Sequence, residues 1–144
     1  MKKIVSIVLI VAAMLALLAG CQASAATYAG SGEKETVATL RIVTMDGEKL
    51  YDGKVKVADD NPTVYMALKA AADEKGLTLD IMGEEPDSMF LNGINDLMGQ
   101  DPQYWMYYVN ENMAEKGIGT QELAEGDLVE FIYGDYSKGY MKIK

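Results

Sequence analysis

Only one stretch of this 144-residue chain carries the period of an α-helix. Val64, Ala67, Leu68, Ala71 and Ala72 recur at i, i+3, i+4, i+7 and i+8, which lines one helical face with apolar side chains. Asn61-Pro62-Thr63 precedes the stripe with Thr63 at the N-cap position, and Gly76 stops it. The other apolar runs beyond residue 36 are short and rich in β-branched and aromatic residues. A lone helix shields one face of one sheet, so the chain is confined to a small α+β arrangement.

The strand readings follow from alternation and turn residues. Val37–Met45 is a roughly alternating β-branched run, and Asp46-Gly47 turns it. Asp52-Gly53 leads into Lys54–Val57, a strand with one polar face. After the helix come Leu77–Ile81, Met89–Ile94, Tyr104–Val109 and Leu128–Tyr133, the last entered through the turn Glu125-Gly126-Asp127. Thr120–Leu123 reads as a single helical turn. The order β-β-α-β-β-β-β predicts a β-grasp-like mixed sheet with one main helix, spanning residues 37–134 as one domain and leaving 135–144 as a tail.

The start of the chain reads as an address rather than a fold. Lys2 and Lys3 precede a run from Ile4 to Leu18 that is apolar except for Ser6, the pattern of a secretory signal peptide over residues 1–20. Leu18-Ala19-Gly20-Cys21 is a lipobox, in which small residues admit the peptidase and the Cys21 thiol carries the lipid. Two acyl chains on one residue hold a protein stably at a membrane. The sequence therefore predicts a lipoprotein at the cell membrane, facing outside the cytoplasm, with residues 21–36 as a small-residue, flexible tether.

Composition removes whole classes of function. Loss of Lys2 and Lys3 would take the 13 basic residues to 11, against 22 acidic ones, and such a domain repels phosphate backbones. Nucleic acid is excluded as a partner. There is no histidine, and the single cysteine is Cys21, so histidine-dependent triads, thiol chemistry and zinc sites built from these ligands have no residues to use. Neither Asp59-Asp60-Asn61 nor Glu84-Glu85-Pro86-Asp87 has calcium-loop spacing. The expectation is a protein that is not an enzyme, requires no cofactor and holds no metal.

Four phrases occur in order: Thr63–Ala71, Tyr104–Asn110, Ala114–Gly119 and Leu123–Phe131. Together they resemble the transcobalamin-like C-terminal domain family, a bacterial family without an assigned function, named for the small β-rich domain of the animal cobalamin carriers. In those carriers the domain closes over one face of the corrinoid. The resemblance implies a ligand-facing end at Tyr104, Trp105, Gly117 and Ile118, with Asn92 and Gly93 in a loop after Phe90 matching a further stretch. It implies cobalamin or another corrinoid as ligand, captured for an uptake transporter. The other reading is an extracellular protein-interaction or adhesion module with no small-molecule ligand. Trp105 is expected at the edge of an exposed aromatic patch, because one helix cannot cover both faces of its strand.

Overall fold

The computed structural model describes residues 24–143. The leader, Cys21 and the first residues of the tether lie outside these, and so do the expectations placed on them. Nine strands and one α-helix are present among the described residues: β1 (Ala26–Ala29), β2 (Glu35–Val43), β3 (Lys49–Ala58), α1 (Val64–Lys75), β4 (Leu79–Met82), β5 (Phe90–Ile94), β6 (Leu97–Met98), β7 (Gln103–Val109), β8 (Asn112–Met113) and β9 (Leu128–Asp135). Six strands form the main sheet in the order β1-β3-β2-β9-β7-β8, and β4-β5-β6 form a second, small sheet. At its centre β2 and β9 run parallel, each flanked by an antiparallel neighbour, β3 and β7. This is the α+β, β-grasp-like architecture predicted from the lone helix.

Alternation along the strands decides the core. Leu40, Ile42, Val55, Val57, Val129 and Phe131 are fully buried and share a cluster with Val64, Ala67, Leu68 and Ala71 of α1. Burying each large side chain of this kind contributes about 1.5–3 kcal/mol. Thr63 is the N-cap residue by position, but its side chain makes no capping bond. The first helical N–H groups are satisfied by a loop instead: Val64 donates to the carbonyl of Gln121 and Tyr65 to that of Ile118, both at 2.9 Å. At the other end Gly76 takes φ 65°, a left-handed conformation that spares glycine the Cβ clash.

Four expectations are corrected. The segment read as a flexible tether contributes β1, whose Ala26–Ala29 pair in parallel with Val55–Ala58 of β3, so the ordered domain starts before Val37. Unsatisfied backbone groups on the β3 edge supply the reason, and Gly30 extends the pairing through its N–H to the Ala58 carbonyl at 2.8 Å. Of the tail read over residues 135–144, the described part, 135–143, is not loose. Asp135 ends β9, and the segment after it packs over the sheet face opposite α1, with Tyr140 against Tyr108 at 4.8 Å between ring centroids. Thr120–Leu123 forms turns and an isolated bridge of Thr63 with Glu122, not a helical turn. Asn92 and Gly93 lie within β5, where the strand reading of Met89–Ile94 puts them, and not in a loop after Phe90.

Candidate functional site

The small sheet and the start of β7 meet at one end of the domain. In β4 and β5 the register passes from Asp80↔Gly93 to Ile81↔Leu91, so Asn92 is an extra residue in a bulge. Its amide nitrogen donates to Asp80 Oδ2 at 2.6 Å, and its carbonyl accepts from the Gly99 N–H at 2.7 Å. A Cβ on Gly93 would lie 2.3 Å from Met98 Sδ, so the missing side chain is what seats Met98. A Cβ on Gly99 would lie 3.0 Å from the Tyr104 ring and 3.2 Å from Asn92 Oδ1. Asn92, Gly93 and Tyr104, from β5 and the start of β7, thus converge around Met98 and Gly99.

That convergence leaves large apolar groups facing solvent. Met98 is 40% exposed, Tyr104 39% and Tyr136 55%, and the Tyr104 and Tyr136 rings lie 5.8 Å apart. Phe90 and Met82, directly paired across β5 and β4, extend the exposed apolar surface of the small sheet. Beside the ridge is an open groove of about 360 Å³ between the β2–β3 turn and β6, lined by Thr44, Met45, Asp46, Glu48, Leu97 and Tyr133. The Tyr133 hydroxyl donates to the Met98 carbonyl at 2.9 Å, which ties groove to ridge.

Trp105 is not at the edge of this patch. It is 8% exposed, its indole N–H donates to the Leu97 carbonyl at 2.9 Å, and its ring lies 5.2 Å from that of Tyr133. The expectation of a partly exposed Trp105 fails because its face of β7 is covered by the second sheet, β5 packing on β7 and Leu97 of β6 accepting the indole N–H. The opposite face, carrying Tyr104 and Tyr108, is covered by residues 136–143 except at Tyr104. Trp105 is a core residue that holds the groove wall from behind.

Gly117 and Ile118 are placed elsewhere. Ile118 is fully buried, and its N–H donates to the Met89 carbonyl at 2.9 Å while its carbonyl caps α1. A Cβ on Gly117 would lie 2.4 Å from the Asp87 carbonyl oxygen, so glycine there permits a close backbone approach. Sequence reasoning missed Tyr136, Tyr133 and Leu97. No local signal marks them, because the meeting of Tyr136 with Tyr104, and of Leu97 and Tyr133 with Trp105, depends on tertiary packing.

No helix among the described residues is long and apolar enough to cross a membrane. No group of three or more potential metal-ligating side chains occurs among them either. Residues 61–135 match a family model described as a domain of unknown function, DUF4430. No curated protein matches the chain. Among solved structures, a candidate metal-binding protein from Ruminococcus gnavus aligns over 73% of this chain and 99% of its own, at 14% identity and TM-score 0.50. Haptocorrin in complex with Cbi aligns over 74% of this chain at 14% identity and TM-score 0.58. This chain spans only 26% of that one. At such identities the likeness is one of fold.

Proposed function

The chain belongs to the DUF4430 family, and we propose that it is a lipoprotein, anchored outside the cytoplasm through Cys21, whose domain binds a corrinoid and passes it to an uptake transporter. The observation that carries the ligand is the exposed ridge of Met98, Tyr104 and Tyr136 beside an apolar groove. A flat macrocycle gains from such a surface, since a well-placed aromatic contact adds about 0.5–1.5 kcal/mol beyond area burial. Asn92 and Asp80 supply polar groups at its edge, which suits a ligand bearing amides. The likeness of fold to haptocorrin, a protein solved with Cbi, supports the choice of a corrinoid over other flat ligands. Lys2, Lys3, the apolar run and Leu18-Ala19-Gly20-Cys21 support the anchor.

Calorimetric titration with cobinamide tests the ligand. Saturable one-to-one binding, weakened by Tyr104→Ala and by Met98→Asp, is the expected result. Heats indistinguishable from dilution would remove the corrinoid. Mass spectrometry of the processed N-terminus tests the anchor separately, with a lipid-modified Cys21 expected. The groove, at about 360 Å³, is open and near the lower end of small-molecule sites, about 300–1,000 Å³. That openness favours, as the second reading, a protein partner seated on the same ridge.

A further inference from the structure

A second groove lies on the outer face of the main sheet, across the β2–β3 turn from the first and sharing only Thr44 and Met45 with it. Val43 and Ile132 form its floor, and Met45, Met141 and Ile143 its sides. It is open at the surface and measures about 320 Å³, near the lower end of small-molecule sites at about 300–1,000 Å³. Its charge is unusual for this protein. Lys49 and Lys142 both line it and no carboxylate side chain of the described residues does, in a chain where acids outnumber bases 22 to 13.

We propose that this groove binds a fatty carboxylate, an unbranched acyl chain ending in one negative charge. The chain lies over Val43 and Ile132, between Met141 and Ile143, and the carboxylate meets the two ammonium groups. Methionine suits such a wall, because its unbranched, polarizable side chain adapts to a flexible ligand. Both lysines have acidic partners at the surface: Lys49 is 2.8 Å from Asp52, and Lys142 is 3.4 Å from Glu111. Exposed pairs of this kind contribute little, so a carboxylate that also buries its chain competes with them.

Titration of the detergent-free protein with decanoate, decanol and butyrate separates the two contributions. Decanoate should bind one-to-one, decanol about tenfold more weakly for want of the charged hydrogen bonds, and butyrate not at all. Lys49→Gln with Lys142→Gln should bring decanoate down to the level of decanol. Met141→Asp should abolish both. Thermal unfolding of each variant verifies that it is folded, and these exposed positions carry little of the core. Equal affinity for decanoate and decanol, indifference to the lysine pair, or no binding below the micellar concentration would overturn the proposal. Cobinamide binding is read at the other groove, so either reading can fail without the other.

Discussion

At the scale of single residues, burial has turned three aromatic side chains into structural groups with measurable consequences. Trp105→Phe keeps most of the ring but leaves the Leu97 carbonyl without its donor, so it should cost about 1 kcal/mol in denaturant unfolding. Trp105→Ala should cost about 3–5 kcal/mol. A loss below about 0.5 kcal/mol for the alanine variant would return Trp105 to the surface. Burial also holds the phenols of Tyr107 and Tyr140 up to about 12, with the Glu130 hydrogen bond adding to the effect at Tyr140. In the unfolded chain these groups ionise near pH 10. Between the two values the unfolded state binds fewer protons, so stability present below about pH 10 is lost as pH rises. The denaturant midpoint should fall through this window, and Tyr107→Phe with Tyr140→Phe should flatten the fall. An unchanged slope in the double variant would assign the alkaline loss to other groups. Glu130, fully buried on the central strand, takes the Tyr140 hydroxyl on Oε1 at 2.8 Å and has Arg41 Nη1 3.6 Å from Oε2. Nothing in its local sequence distinguishes it from a solvated strand glutamate, because its burial is imposed by a segment arriving ten residues later.

At the scale of elements, the helix was legible to the residue while its capping was not. The stripe from Val64 to Ala72 and the stop at Gly76 are local facts of side-chain period and backbone freedom. The cap is not local, since the loop carrying Ile118 and Gln121 receives the N–H groups that Thr63 was expected to satisfy. Thr63→Ala should therefore cost less than about 0.5 kcal/mol instead of the roughly 1 kcal/mol of a working cap. Gly76→Ala, forced into a left-handed conformation, should cost about 1–2 kcal/mol. Thermal or denaturant melts of the two variants decide it, and a reversed order would reinstate the Thr63 side chain as the cap. Among strands, the long alternating runs were legible and β1, β6 and β8 were not. Segments of two to four residues hold too little pattern to stand out, and they become strands only because a neighbouring edge offers hydrogen bonds.

For the whole molecule, the segment before Glu35 is the most direct test of where the domain begins. Ala26 is buried in the main cluster and Tyr28 packs against it, while Ser31 N–H and Asn61 N–H both donate to the carboxylate of Asp59. A chain starting at Glu35 should melt at least about 4 °C below one starting at Ser24. Equal midpoints would make β1 a dispensable strand and restore the tether through residue 36. The fold class, the helix and the principal strands were determined by the sequence alone, because side-chain period and turn chemistry act within a few residues. The expected absence of thiol and histidine chemistry rests on composition in the same way. The placing of Tyr104, Met98 and Tyr136 on one ridge, the burial of Trp105 and the covering of the outer face by residues 136–143 were decided only by tertiary structure. Each depends on which residues, distant in the chain, fill the remaining space once two sheets and one helix have packed, and no local pattern encodes that.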